Sequence, residues 1–194
     1  MFSKGLILAS TSRYRRALLG RLGLTFDCVA PRVDEARQPD ESAVGMASRL
    51  ARLKAEAVSR LHPSAVVIGS DQVALRGHDL LGKPGTVERC REQLQHSSGR
   101  DVVFLTAVHV IDGPAGRAES HVDRTTVLFR ELSAIEIERY IERDRPLDCA
   151  GGFKAESLGI ALFERIDSSD PTGLTGLPLA WVCGALRRAG FDVP

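Results

Sequence analysis

The chain has 194 residues, 43% of them hydrophobic, which is enough to bury one sizeable core, and its formal net charge is +1 with acids and bases interspersed. That balance excludes the polybasic footprint of a duplex-binding protein, and the apolar run after Lys4 is too short for a secretory signal or a membrane span. Five scattered histidines have no metal-ligand spacing, and Cys28, Cys90, Cys149 and Cys183 form no C-x-x-C pair, so the cysteines read as reduced thiols of a soluble cytoplasmic protein.

Leu6-Ile7-Leu8-Ala9 predicts a short buried strand that breaks into the hydroxyl-rich turn Ser10-Thr11-Ser12 and opens a helix carrying Arg13, Arg15 and Arg16. A helix N-terminus is electropositive, so hydroxyls and free N–H groups there form a natural anion site. Arginines in a first helical turn oppose the dipole, a cost that a bound anion offsets. The plain alternative is a Ser-capped helix with a solvated basic face. Thr25 to Ala30 predicts a strand and Pro31 to Asp40 a loop. Asp34-Glu35 in that loop suits a hard cation, or is simply solvated. Ser42 to Arg60 is the longest helical pattern, with Met46, Leu50, Leu53 and Ala57 on one side. Lys54 has Leu50, Ala51, Ala57 and Val58 as its helical neighbours, which predicts an inward-facing ammonium; snorkelling to the surface is the alternative.

Ala65-Val66-Val67-Ile68 predicts a strand covered on both faces, and Asp71 stands at its carboxyl end, the edge where ligands gather in α/β sheets. The β-like pattern continuing through Gln72-Val73-Ala74-Leu75 speaks against a plain turn aspartate. Gly82-Lys83-Pro84 holds a second lysine on a rigid turn, and Thr86 caps a helix through Leu94. Val102 to Ile111 and Ser120 to Phe129 predict a hairpin across Asp112-Gly113-Pro114. Ser133 and Glu136 form a capping box, stapled by Leu132 and Ile137. Ile160 to Ile166 predicts a last strand. Pro178 opens a final helix whose Leu179, Val182, Cys183 and Leu186 share a face and which Gly190 ends; Asp170-Pro171 and Gly176-Leu177-Pro178 supply turn chemistry before it. The pattern is that of an α/β sheet flanked by helices, one domain over residues 1–194.

The charged residues fit one chemistry. Cations at Arg15, Arg16, Lys54 and Lys83, hydroxyls at Ser10 and Ser12, and carboxylates at Glu35 and Asp71 suit a metal-bound polyphosphate, which needs positive groups for phosphate oxygens, acids for the metal and a base for water. Neither a G-x-x-x-x-G-K-[ST] loop nor a G-x-G-x-x-G fingerprint follows the first strand.

Ser10-Thr11-Ser12-Arg13-Tyr14-Arg15 resembles S-x-S-P-x-R, the N-terminal signature of the Maf family of nucleotide pyrophosphatases. Asp34-Glu35, Ala51-Arg52-Leu53-Lys54-Ala55, Gly69-Ser70-Asp71-Gln72, Gly82-Lys83-Pro84, Phe153-Lys154-Ala155-Glu156-Ser157-Leu158-Gly159 and Gly176-Leu177-Pro178 match the family's further motifs in order. Arg13 departs from the usual proline; it alters the helix entry and removes no functional group. The resemblance implies an elongated mixed sheet flanked by helices in two lobes with an active-site cleft, a Maf/ITPase-like fold. It implies hydrolysis of nucleoside triphosphates to monophosphate and pyrophosphate with a divalent cation, Mg²⁺, Mn²⁺ or Co²⁺. Asp71 matches the family's general base, and Glu35 and Asp71 are the carboxylates read above as the metal's ligands. The resemblance also suggests a homodimer; the balanced charge and short apolar run predict no stable nucleic-acid or membrane partner.

Tyr14, Gln72 and Glu156 bear on the base. They resemble the subgroup that hydrolyses 7-methyl-GTP, with an aromatic, Gln and Glu at these places; the dTTP and UTP subgroup carries Arg, Thr and Gln. N7-methylation makes guanine cationic, which an aromatic face attracts by about 0.5–2 kcal/mol. A carboxylate at Glu156 can accept from both N1–H and N2–H of guanine, whereas the flanking carbonyls of thymine and uracil repel it. Tyr14 could instead be a core aromatic beside Ala17, Leu18 and Leu22, and Glu156 could instead pair with Lys154. A pyrophosphatase for dTTP, UTP or another canonical or modified nucleotide and a nucleotide-sensing division regulator are the competing readings. A single-strand RNA or cap binder stacking on Tyr14 is disfavoured by the neutral charge and few aromatics.

Overall fold

The computed structural model of the chain describes residues 4–194. Its elements are β1 (Gly5–Leu8), α1 (Arg13–Gly20), β2 (Asp27–Cys28), α2 (Ala43–Ser59), β3 (Ala65–Arg76), β4 (Asp79–Leu81), α3 (Val87–Ser97), β5 (Asp101–Asp112), β6 (Arg117–Phe129), α4 (Ala134–Asp144), β7 (Phe163–Ser168) and α5 (Leu179–Arg188). Among the described residues the strands form one mixed sheet of seven, in the order β2-β1-β3-β5-β6-β7, with β4 antiparallel on β3. β1 pairs in parallel with both β2 and β3, and β7 is antiparallel to β6. The predicted mixed sheet with flanking helices is therefore present. No described helix is long and apolar enough to cross a membrane.

By its contacts the chain divides into two compact units, the first taking the residues up to Gln72 with Thr106–Asp123 and Asp170–Pro194, the second Val73–Leu105 with Arg124–Ser169. In the first unit strand alternation sorts the apolar run onto two faces. Leu6, Leu8, Val66 and Ile68 pack with Leu18 and Leu19 of α1 and Val182 and Leu186 of α5. Ile7, Ala9, Ala65 and Val67 pack with Ala55 and Val58 of α2. A strand with helices on both faces has no use for alternating polarity, which is why Val66-Val67-Ile68 reads as continuously apolar. In the second unit Phe153 meets Phe104, Phe129 and Phe163 edge to face, with centroids 5.3, 5.5 and 4.8 Å away. Cys90 and Leu94 of α3 and Ile137, Tyr140 and Ile141 of α4 are buried there, and burial pushes the Cys90 thiol up to about 11.

Local capping follows the sequence closely. Ser12, Ser42, Thr86 and Ser133 cap α1, α2, α3 and α4, and the Ser133–Glu136 box is closed from both sides. The cap of α5 comes from farther away. Asp170 Oδ2 accepts from Ala180 N–H at 2.7 Å and Thr172 Oγ1 from Leu179 N–H at 2.8 Å, doing what Pro178 has no side chain to do.

Four expectations need correction. The strand predicted over Thr25 to Ala30 shrinks to Asp27–Cys28. Asp71 does not sit at a strand's carboxyl end, because β3 runs on to Arg76 with Val73 and Ala74 buried. α3 continues past Leu94 to Ser97, whose hydroxyl donates to Gln93 O. The last strand starts at Phe163 rather than Ile160, because Leu158–Leu162 is a 3₁₀ helix that leaves Ile160 exposed. On α5, Leu179, Val182 and Leu186 share the core-facing side as expected, with half-buried Cys183 packed against the same cluster and Ala185 joining it.

Candidate active site

The first unit brings most of the candidate residues together. After β1, Ala9 N–H donates to Ile68 O at 2.8 Å, so the chain enters its hydroxyl turn beside Gly69-Ser70 of β3. Ser10 is buried and its Oγ accepts from Ser12 N–H; Ser12 Oγ in turn accepts from Arg15 N–H. Each oxygen thus satisfies a helix-entry N–H while its own O–H can still be given to an anion.

Lys54 points inward, as its apolar neighbours predict, and is 6% exposed. Its ammonium stands 2.6 Å from Asp71 Oδ1 and 3.0 Å from Glu35 Oε1. Snorkelling is excluded by that burial and by two carboxylates at hydrogen-bond distance. Gly69 makes the arrangement possible. A Cβ there would sit 2.3 Å from Ala51 O and 2.6 Å from Ala55 N, so only glycine lets α2 lie this close to β3. Ala51 and Ala55 bracket Lys54, and Asp71 is two residues beyond Gly69. The close approach and the ion pair are one structural fact.

The loop ahead of α5 supplies backbone acceptors. Gly176 O accepts from Arg15 Nε at 2.9 Å and from Ser70 Oγ at 2.9 Å. Gly176 has φ 105°, a conformation glycine adopts freely, and a Cβ on it would press on Arg15 Nε at 3.2 Å. Burial pulls the Arg15 guanidinium below its ordinary pKa, and the fields of Asp71 and Glu35 pull it back up. Gln72 Nε2 donates to Thr106 Oγ1 and to the carbonyls of Gly173 and Leu174 at 2.9, 3.1 and 3.0 Å. Both its N–H groups face this loop, so what Gln72 can offer a ligand is its Oε1, an acceptor.

Two candidates on α1 lie outside these hydrogen bonds and ion pairs. Arg16 is exposed and lines a surface hollow of about 510 Å³ with Arg13, Ala17, Gly20, Leu24, Thr25 and Phe26, on the side of the helix away from Arg15. Tyr14 is half-buried and outside the core, with the Arg13 guanidinium 4.8 Å above its ring and Arg13 Nη2 donating to its hydroxyl at 2.7 Å. In the second unit Lys83 is exposed on the turn after β4, whose Gly82 O accepts from Gln93 Nε2 at 3.1 Å. Glu156 is exposed there too, and Lys154 is bound to Asp144 instead of to it.

Sequence reasoning misses three contributions. Arg49 grips Glu41 with Nε and Nη2 at 2.6 and 2.8 Å and Ala36 O at 3.0 Å, which fastens the loop bearing Glu35 to α2. Neither residue carries a motif, and their spacing is not a helical one. Ser70 and the carbonyls of the Gly173–Gly176 stretch are the second, with no side-chain signal at the carbonyls. Gly69 is the third, and an isolated glycine inside a strand pattern is itself a sign of close backbone approach.

The Glu41 carboxyl is pulled down from 4.5 to about 2, chiefly by the hydrogen bonds from Arg49. A carboxyl depressed in the folded state adds stability above its unfolded pKa and loses it as pH falls through the folded one. Wild type should therefore melt higher than Glu41→Gln at pH 7, with the gap closing as pH drops from about 4.5 toward about 2. A gap that stays constant across that range in thermal melts would show that the pair does not hold the loop.

Among the described residues no three His, Cys, Asp or Glu side chains gather as a metal cluster. The cation-seeking donors are the two carboxylates, Glu35 and Asp71, which converge on Lys54.

A family model described as Maf-like protein matches residues 5–189. The chain is 54% identical over 189 residues to a 7-methyl-GTP pyrophosphatase of Xanthomonas axonopodis pv. citri, covering 97% of this chain and 98% of that one. It is 50% identical over 188 residues to a 7-methyl-GTP pyrophosphatase of Alkalilimnicola ehrlichii, covering 97% and 94%. A HAM1 protein of Coxiella burnetii superposes with a TM-score of 0.52 at 14% identity, over 96% of this chain and 100% of that one, a likeness of fold.

Proposed function

The chain belongs to the family of Maf-like proteins, and on that premise we propose that it hydrolyses 7-methyl-GTP to 7-methyl-GMP and pyrophosphate. The observation that carries the reaction is the buried Asp71, held 2.6 Å from Lys54 with Glu35 on the same ammonium. Asp71 acts as the general base. Its Oδ1 is engaged by Lys54, and its Oδ2 takes the proton of a water whose oxygen attacks the α-phosphorus. The bond from the α-phosphorus to the bridging oxygen breaks, and pyrophosphate leaves with that oxygen. Arg15, the Ser10 and Ser12 hydroxyls, Lys54 and, by motif match, Lys83 hold phosphate oxygens, while Arg16, turned to the other side of α1, does not join them.

Glu35 and Asp71 fit a divalent cation, because Mg²⁺ and its like are typically held by one or two carboxylates with substrate phosphates completing the shell. When bound, such a cation neutralises phosphate charge and acidifies water. Glu35 suits that role because its side chain is 57% exposed and can exchange Lys54 for a cation.

Base reading falls to Tyr14, Gln72 and Glu156, and the relatives' substrate supports that assignment. Glu156 is not neutralised by Lys154, so its carboxylate can meet the donor edge of guanine. The Tyr14 ring offers stacking worth roughly 1–3 kcal/mol to a base.

The test is pyrophosphate release from 7-methyl-GTP, GTP, ATP, CTP, UTP and dTTP with Mg²⁺, Mn²⁺ or Co²⁺, by wild type and Glu156→Gln. Wild type should prefer 7-methyl-GTP, and Glu156→Gln should lose that preference by about 10–100-fold, the range of a lost charge-assisted pair. Faster turnover of dTTP or UTP by wild type would move the chain to that substrate class. Binding without turnover of any nucleotide would favour a regulator.

A further inference from the structure

We propose that Asp144 is a positioning residue for substrate discrimination, because it holds both ends of the turn that carries Glu156. The proposal rests on the reading of Glu156 as the base-reading carboxylate. Glu156 stands at the tip of the turn Lys154–Ser157, closed by Ser157 N–H donating to Lys154 O at 3.2 Å. At one end Lys154 Nζ donates to the Asp144 backbone carbonyl, with Asp144 Oδ1 3.9 Å away. At the other, Ser157 Oγ donates to Asp144 Oδ1 at 2.6 Å. One helical turn earlier on α4, the Tyr140 hydroxyl oxygen accepts from Lys154 N–H at 3.0 Å. Behind the turn the chain doubles back so tightly that a Cβ on Gly159 would lie 2.4 Å from Lys154 O. The end of α4 therefore fixes the backbone on either side of Glu156 and leaves its carboxylate exposed.

Asp144 does a second thing for its neighbour. Its carbonyl and carboxylate draw the Lys154 ammonium to themselves, so Glu156 keeps its charge for a ligand. The Asp144 side chain is 8% exposed, and among the described residues its Oδ2 is buried with no hydrogen-bond partner. A buried carboxylate oxygen left unsatisfied opposes stability. Holding the turn gives that carboxylate a reason to be there which stability does not.

The experiment compares kcat and KM for 7-methyl-GTP and UTP in wild type, Asp144→Ala, Asp144→Asn, Ser157→Ala, Glu156→Gln and the Asp144→Ala/Glu156→Gln double variant. Asp144→Ala should lower the 7-methyl-GTP to UTP ratio of kcat/KM about 10-fold, through KM, with kcat for 7-methyl-GTP within about threefold. Asp144→Asn keeps an acceptor for Ser157 and should lose about threefold or less; Ser157→Ala, an exposed change, should lose about threefold. With Glu156 already Gln, Asp144→Ala should change the ratio no further, since the two act as one unit. An unchanged ratio in Asp144→Ala and Ser157→Ala overturns the proposal, as does an equal loss with and without Glu156. If Glu156→Gln itself leaves the ratio untouched, the base-reading role falls and the proposal with it. Should Asp144→Ala fail to fold, Ser157→Ala decides alone.

Discussion

Asp71→Asn should lower kcat for nucleotide hydrolysis by a factor of about 10²–10⁴, the usual contribution of a positioned base, while nucleotide binding stays within about threefold of wild type. Asn has the shape of Asp, and its oxygen can still accept from Lys54 at the distance Asp71 Oδ1 occupies, 2.6 Å. Its other face then presents an N–H₂ donor where a carboxylate oxygen stood, and a donor cannot take a proton from water. Lys54 is not stranded by the change, since Glu35 remains 3.0 Å away. The fold should survive, because the buried ammonium keeps one carboxylate partner. Nucleotide binding, titrated without a divalent cation, should survive as well, because Asp71 carries a negative charge toward a polyanion and its removal relieves repulsion. Measured separately by direct titration and by pyrophosphate release, the two readouts part company if Asp71 is the base. Turnover within about tenfold of wild type would transfer the role to another residue. Loss of turnover with full retention of the protein's cellular effect would favour the regulator.

Much of this site is legible in the sequence, and the reasons differ by residue. Lys54 declares itself because helical periodicity puts a charge on an apolar stripe, a conflict that a buried partner resolves. The caps at Ser12, Thr86 and Ser133 are legible because capping is local in sequence. Asp71 stands out for its chemistry but is misplaced in its strand, because a polar residue inside a run resembles a strand end unless pairing partners are known. Long-range backbone acceptors are invisible: Gly173 and Gly176 meet Gln72 and Arg15 through carbonyls that every residue type carries. The Arg49–Glu41 pair escapes for a related reason, since it joins a loop to a helix across a spacing no periodicity encodes. Lys154 misleads in a different way. Its nearness to Glu156 in sequence suggests a pair, but the turn they share sends the Lys154 ammonium to Asp144 and leaves Glu156 exposed.

Gly69→Ala should destabilise the protein by about 3 kcal/mol, lowering Tm by roughly 6–10 °C, and should lower activity further than the loss of folded protein explains. The added Cβ meets Ala51 O at 2.3 Å, Ala55 N at 2.6 Å and Ala55 Cβ at 2.9 Å. Two of these are backbone atoms of α2 and cannot swing aside as a flexible side chain would, so the helix itself must move off β3. Lys54 travels with that helix, and an ammonium now 2.6 Å from Asp71 leaves hydrogen-bond range after a shift of about 1 Å. The same displacement opens the packing of Ala55 and Val58 against Ile7 and Val67, so stability and catalysis fall together for one geometric reason. Gly20→Ala is the control. Gly20 closes α1 with nothing within 4 Å of its absent Cβ, so alanine there should be neutral or raise stability by up to about 1 kcal/mol. Thermal melts and kcat measured well below Tm separate the two effects. A Gly69→Ala protein with wild-type Tm and wild-type kcat would mean that α2 and β3 are not held together at this contact, and the placement of Lys54 would then need another cause.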